Sequence, residues 1–354
     1  IRPIQYTVES EAFQLPTPVR TGYIFLGWTG EGITEPQKTI EIPQGSTGDR
    51  TYTANWQVIE YTIITLLEGG NAGSSQVYFY TVEQTVTLPT PTRTGYTFLG
   101  WTGEGITTPQ PNVTIPKGST GDKTYIENWE LTEYNITMDL NGGGGQEKVV
   151  YTMTDEDFEL PTPTRNGYEF VGWTGEGITT PQTSVKIPKG STGNKAYTAN
   201  WKVIRYTITL VTNGGAVIAS IRYTVEDSVT LPIPPERPGY EFAGWVLDGS
   251  GQFPSTPMII PAGSTGDRLY KAEWRVATYT ITYVSHGKAY NWVQYTINNQ
   301  VYFGTPEEDP SYYLPGYTFV GWKIDGVEGT PRSYMLPKGS YGNRTATMLW
   351  EPIP

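Results

Sequence analysis

Apolar and polar residues alternate with a period of two along the whole chain, and no long stretch carries the three-to-four-residue spacing of an amphipathic helix. In Tyr206–Leu210 (YTITL), Tyr206, Ile208 and Leu210 share one face and two threonines the other. In Tyr197–Trp201 (YTANW), Tyr197, Ala199 and Trp201 share a face. Such strips predict half-buried strands. A third strip, GY-x-F-x-GW, occurs at Gly22–Trp28, Gly95–Trp101, Gly167–Trp173, Gly239–Trp245 and Gly316–Trp322. Its tryptophans are spaced by 73, 72, 72 and 77 residues. A fixed period marks a repeat architecture. A unit of about 70 residues closes its own core, if marginally. The pattern predicts a mainly β chain, a tandem array of five small domains rather than a solenoid.

The expected units are 1–58, which lacks a first strand, 59–131, 132–203, 204–276 and a divergent terminal unit, 277–354. Each complete unit reads as a first strand, a Gly-Gly turn, a second extended segment (YTVE-x-x-V-T-LP), a Pro-rich crossing, the GY-x-F-x-GW strand, an irregular loop, and a closing pair around IPKGSTGDK. Asn141-Gly142-Gly143 and Asn213-Gly214-Gly215 tolerate the positive φ of tight hairpins. Gly121-Asp122, Gly193-Asn194 and Gly266-Asp267 suit the closing turn in the same way. The crossings Leu88–Arg93 and Leu160–Arg165 (LPTPTR) cannot sit mid-sheet, because proline donates no ladder hydrogen bond.

Four residues separate each closing tryptophan from the next opening tyrosine: QVIE (57–60), ELTE (130–133), KVIR (202–205) and RVAT (275–278). These are not Gly/Ser linkers. Their middle residues are expected to pack between neighbours and to make an elongated, stiff rod. At a diameter of roughly 28 Å per unit, five units span about 140 Å.

Parity divides the aromatics of the repeated frame. Tyr96, Phe98 and Gly100 fall on one face, and Thr97, Leu99 and Trp101 on the other. The expected core anchors are therefore Tyr23, Phe25 and Trp56; Tyr96, Phe98 and Trp129; Tyr168, Phe170 and Trp201; Tyr240, Phe242 and Trp274; and Tyr317, Phe319 and Trp350. Trp28, Trp101, Trp173, Trp245 and Trp322 belong to the second face, which reads as partly exposed or loop-covered.

Composition narrows the function classes. A net charge of −11 disfavours nucleic-acid backbones and anionic membrane surfaces. Cysteine is absent, which points away from eukaryotic secretion and remains compatible with a bacterial surface protein. No apolar run approaches membrane-spanning length. The chain opens at Ile1 without an initiator Met or signal peptide and reads as a processed or excised piece. The first unit's missing strand fits truncation, or a sheet edge filled by a strand from another chain.

The order YTIT…NGG…YTVE…LP-x-P-x-R-x-GY-x-F-x-GW…Y-x-A-x-W is carried by Tyr206–Gly215, Tyr223–Glu226, Leu231–Trp245 and Tyr270–Trp274, and again in the other units. It resembles the internalin-type B-repeat, or Listeria–Bacteroides repeat, in a long variant covering essentially the whole chain. The resemblance implies a β-grasp-like domain found in tandem in bacterial secreted and wall-attached proteins, often as spacer or adhesive stalk, with no catalytic residues. The fifth unit departs from it: SHGKAYNWVQ replaces the NGG region and EEDPSYYLPG the LPTPTR segment.

Candidate chemistry is sparse. The one histidine, His286, has no nucleophile at a recognisable motif. Glu31, Glu104 and Glu176 recur in the GEG loop, but the fourth unit has VLDGSG. Gly142–Gly145 has no helix behind it to bind phosphate. Asp49, Asp122 and Asp267 supply one carboxylate per turn, short of a calcium shell. Lys117, Lys189 and Lys338, with Asn55, Asn128 and Asn200, are replaced in other units, which excludes a Lys–Asn cross-link common to all. No enzyme activity, cofactor or metal is expected. Aromatics crowd only the fifth unit, at Tyr290, Trp292, Tyr295, Tyr302, Tyr312 and Tyr313 beside Glu307, Glu308 and Asp309. Of these, Tyr290, Trp292, Tyr302, Tyr312 and Tyr313 are the candidate ligand or partner contacts. Together these readings give a non-enzymatic stalk or spacer on a bacterial surface. The alternatives are an adhesin that contacts host or wall glycans or proteins through the fifth unit, and a fibre subunit that self-associates through the open edge of the first.

Overall fold

The computed structural model describes residues 2–66, 75–307 and 313–354. Among them are strands and turns but no helix. The third repeat shows the complete plan. Its opening strand Tyr134–Asp139 lies between the return strand Lys148–Tyr151 and the closing strand Lys195–Val203. The closing strand pairs next with the GW strand, Tyr168–Gly175, and that with an outer strand, Ile178–Gln182. Opening and closing strands run parallel at the middle of this sheet, and the other pairs are antiparallel. A parallel pair needs a long crossover. Here the crossover carries a short antiparallel ribbon, Phe158–Glu159 with Lys186–Ile187, whose Leu160, Val185 and Ile187 bury against the sheet's Ile136, Met138 and Trp173. Each of the five repeats has its own buried cluster of this kind.

Two local expectations change. The segment around IPKGSTGNK is not a hairpin: Lys186–Ile187 enters the ribbon, whereas Lys195–Val203 enters the main sheet. The loop after the GW strand is not irregular. Glu176 (φ 46°) and Gly177 (φ 82°) both take the left-handed conformation of a tight hairpin turn, which folds Ile178–Gln182 back on the GW strand. The Glu176 carboxylate accepts the Ala196 amide at 3.2 Å and so supports a conformation that glutamate otherwise avoids. Glu31 and Glu104 do the same with the amides of Thr51 and Thr124.

A β-bulge reverses the parity reading. Phe170 pairs with Trp201 and Gly172 with Asn200, so Val171 has no partner across the ladder. The extra residue turns Phe170 and Trp173 to the same side, their rings edge to face at 5.4 Å. Trp28, Trp101, Trp173, Trp245 and Trp322 are consequently buried, at 8, 1, 0, 1 and 3% exposure, instead of lying on a partly open second face. The Asn200 side-chain amide clamps the bulge, donating to the carbonyls of Gly172 and Thr198 (3.1 Å each) and to Thr174 Oγ1 (3.0 Å). Asn55 and Asn128 repeat the clamp.

Of the expected anchors, Phe25, Phe98, Phe170, Phe242 and Phe319 lie edge to face on that tryptophan. Phe319 and Trp129 are buried; Phe25, Phe98, Phe170 and Phe242 are half-buried, as are Trp56, Trp201, Trp274 and Trp350. Tyr23, Tyr96, Tyr168 and Tyr240 are half-buried beneath the guanidinium groups of Arg20, Arg93, Arg165 and Arg237, 3.6–3.8 Å from the ring centres. Tyr317 is no core residue: it is 39% exposed, and Leu314 stands where an arginine covers the ring in the other repeats.

The joints are uniform. The amides of Ile59, Thr132, Ile204 and Ala277 donate to the carbonyls of Gly22, Gly95, Gly167 and Gly239, each at 2.9 Å, which continues the closing strand into the linker. Each of these glycines touches the next repeat. A Cβ on Gly22, Gly95, Gly167 or Gly239 would come within 2.0–2.5 Å of Val82, Met153, Val225 or Ile297. A neighbour contact thus falls on the frame glycine, and Tyr23 and Tyr168 donate to Glu83 and Glu226 across the same joints, while most of the linker side chains stay half-buried or exposed.

Over its described residues the first repeat has a sheet of three strands, Ile33–Gln37, Tyr23–Gly30 and Thr53–Val58. In the second repeat the opening strand is Tyr61–Leu66, and the Gly69-Gly70 turn lies outside the described residues.

Candidate binding surface

The fifth repeat replaces the short return strand with Lys288–Tyr295, which pairs along the whole of Tyr279–Ser285. Alternation places Val293 and Tyr295 toward the core, and Trp292, opposite Thr282, on the outer face. A register shift at Tyr283/Val284 turns Tyr290 inward, half-buried, with its ring 6.1 Å from that of Tyr283. Tyr302, in the ribbon strand Val301–Phe303, pairs with Met335, and both are exposed. Tyr290, Asn291, Trp292, Tyr302 and Thr305 border one open cleft of about 390 Å³, floored by Phe303 and Trp322.

The structure therefore brings together three of the predicted contacts, Tyr290, Trp292 and Tyr302. Trp292 is 64% and Tyr302 52% exposed. Tyr313 is exposed but forms no part of this wall. Tyr312, Glu308 and Asp309 lie outside the described residues. Glu307 pairs with Arg332 at 3.1 Å, and its carboxyl is held below the usual range, chiefly by a hydrogen bond from Thr305.

The other candidates resolve into local structure. His286 (φ 51°) takes the left-handed turn position that Asn141 and Asn213 occupy elsewhere, with its ring stacked on Trp350 at 6.0 Å. Its Nδ1 lies 2.9 Å from Ser285 Oγ, which itself accepts the Trp350 indole N–H. Lys189 pairs with Glu156 at 2.6 Å, while Asn200 is committed to the bulge. Among the described residues no cluster of acidic or histidine side chains has a metal's geometry, and no helix is long and apolar enough to cross a membrane.

One role was missed from sequence. The Asp or Asn after the closing-turn glycine ties the opening strand to the end of the crossover: Asp122, Asn194, Asp267 and Asn343 accept the amides of Thr62, Asn135, Thr207 and Thr280 at 2.7–2.9 Å. The alternation of Asp and Asn at this position was the available signal, since both share an acceptor oxygen and only one carries charge.

The model of the Listeria-Bacteroides repeat domain matches residues 3–55, 61–125, 134–200, 206–265 and 279–338. The chain belongs to this family. It is a family of repeat domains, not of enzymes. The chain is similar to a protein of Evansella cellulosilytica provisionally named a Gly-rich membrane protein, at 27% identity over 86% of this chain and 36% of that protein. A second protein of that species, provisionally named a membrane protein, is 24% identical over 78% of this chain and 41% of its own length. Internalin H of Listeria monocytogenes is 32% identical over 83 residues, 23% of this chain and 15% of its own. The chain thus spans well under half of these bacterial relatives.

Proposed function

We propose that these Listeria-Bacteroides repeats serve as a structural, non-enzymatic stalk of a bacterial cell-surface protein. The observation that carries this reading is the joint. The same glycine contact and the same linker hydrogen bond recur at four successive boundaries, so each repeat is set against the next in one fixed way. A repeated rigid-body step generates an extended array. The internalin and membrane-protein relatives favour a surface location. Small-angle scattering tests the reading. The expected particle is elongated, with a maximum dimension of about 140 Å, and deleting residues 132–203 shortens it by roughly 28 Å. A compact particle overturns it.

The second reading, contact with a glycan or protein through the fifth repeat, is favoured by Trp292 and Tyr302, which present exposed ring faces beside a cleft. Exposed aromatics stack on apolar faces of ligands at small entropic cost. A glycan array probed with the whole chain and with Trp292→Ala checks it: binding that the substitution abolishes supports contact, and an array without signal removes the glycan form of the idea.

A further inference from the structure

The central tryptophan does not have the same surroundings in every repeat. The indole N–H groups of Trp245 and Trp322 donate to the carbonyls of Pro232 and Gly304, each at 2.8 Å. Those of Trp28, Trp101 and Trp173 are buried without a hydrogen-bond partner. The length of the crossing differs in step. Trp245 stands 14 positions after Leu231, whereas Trp101 stands 13 after Leu88. A buried donor without an acceptor costs stability, so each such group calls for an explanation.

In the second repeat a second unusual group adjoins the first. Glu127 lies opposite Trp101 across the ladder, where Ala54, Ala199, Ala272 and Met348 lie opposite the tryptophans of the other repeats. It is only 7% exposed. A carboxyl at such a position is costly unless its oxygens are used. Its Oε2 accepts the Trp129 indole N–H at 3.1 Å. Trp201 and Trp274 instead donate to the main-chain carbonyls of Leu140 and Thr212, so that bond does not require an acid. Glu127 Oε1 accepts no hydrogen bond from the described residues. Trp101 and Glu127 border one cleft of about 370 Å³, together with Pro89, Pro91, Tyr78 and Gln76. The Tyr78 hydroxyl donates to the Gln76 amide oxygen, which ties these two side chains to each other.

We propose that this cleft of the second repeat is a carbohydrate site, which takes a neutral sugar. An unpaired donor and an unpaired acceptor in one cleft call for a ligand group that is both. A hydroxyl accepts from the Trp101 indole N–H and donates to the Glu127 carboxyl. An ammonium group only donates and leaves the indole unpaired; a carboxylate or phosphate only accepts and meets Glu127. The rings of Pro89, Pro91 and Tyr78 supply apolar walls for the C–H face of a sugar. The volume lies in the range of small-ligand sites. None of these residues belongs to the fifth repeat, and the site requires neither that contact nor the stalk.

The test is saturation-transfer NMR of the whole chain with maltose, cellobiose, lactose and chitobiose, followed by titration of each sugar that binds. The expected result is transfer to at least one of them, with hydrogen exchange slowed by that sugar at Gln76–Tyr80 and Tyr96–Gly103 and unchanged in the fifth repeat. Glu127→Ala installs the residue that three other repeats carry, so the second repeat is expected to fold. It is expected to weaken binding about tenfold or more, from the loss of a hydrogen bond to a carboxyl. Glu127→Gln keeps an acceptor oxygen and weakens it less, and Trp292→Ala leaves it unchanged. Transfer to none of these sugars overturns the proposal. So does binding that Glu127→Ala leaves intact, or binding that Trp292→Ala removes, which assigns the sugar to the fifth repeat instead.

Discussion

At the residue scale the bulge decides the packing. Strict alternation divides Phe170 from Trp173; one inserted residue, Val171, reunites them in a single core. The insertion is possible because Gly172 adopts φ 140° against the backbone of the outer strand, 2.5 Å from where a Cβ would stand. Gly172→Ala is therefore expected to destabilise the third repeat by about 2–4 kcal/mol, from backbone strain and a steric clash together. Denaturant unfolding with exchange read at Tyr168–Gly175 measures it, and a loss below about 0.5 kcal/mol, the level of an ordinary surface change, contradicts this account. Asn200→Ala leaves the bulge carbonyl and Thr174 Oγ1 without their donor and is expected to cost about 1–3 kcal/mol. Phe170 and Trp201, which pack on the buried cluster, were legible as core candidates because they sit in alternating strips; Tyr168 shares the strip but lies outside that cluster, beneath Arg165. The burial of Trp173 was not, because a bulge leaves no mark in an apolar–polar pattern beyond a glycine, and glycine has several other uses.

At the element scale, the parallel pairing of opening and closing strands holds the second to fifth repeats together, from Ile136 to Lys195 in the third, and a short side chain fastens the start of the opening strand. The Asp122 carboxyl lies below its ordinary value of 3.8, held there first by the Thr62 backbone amide. A lowered carboxyl stabilises the fold above its unfolded value, and that contribution is lost as the pH falls through the lower folded value. Below pH 3.8 the Thr62 amide is thus expected to lose protection in the second repeat, while Asn135, held by the uncharged Asn194, keeps it. Exchange between pH 5 and pH 2.5, corrected for the intrinsic rate, compares the two within one molecule. At the joints, Gly167→Ala would place a methyl group 2.5 Å from Val225 Cβ. The expected outcome is a third repeat that still folds, weakened by roughly 1–2 kcal/mol because Gly167 holds φ 77°, and a looser angle to the fourth, seen as a broadened distance distribution between spin labels on the two. The linkers themselves were readable as short. That the contact would fall on the frame glycine was not, since the partner, Val225, lies 58 positions away in sequence.

At the scale of the molecule, five small cores in series do not share one stability. Over the described residues the first repeat's buried cluster, Trp28, Ile40 and Ile42, is smaller than the third's. Stability in such arrays is the sum of local terms and nearest-neighbour interfaces. In a chain of these 354 residues, residues 23–30 are expected to exchange and unfold at lower denaturant than residues 168–175. Coincident transitions for both segments would show that the joints couple the whole chain.

The sequence alone determined the repeat number, the β class, the Pro-rich crossings and the four-residue joints. Each of these is written locally, in spacing and in residues that permit or forbid a backbone conformation. Tertiary structure alone decided which tryptophan is central, why Asp and Asn alternate after the closing glycine, and where neighbours touch. Each of those depends on segments tens of residues apart meeting in space, and a pattern read along one strand carries no record of what arrives from the other side.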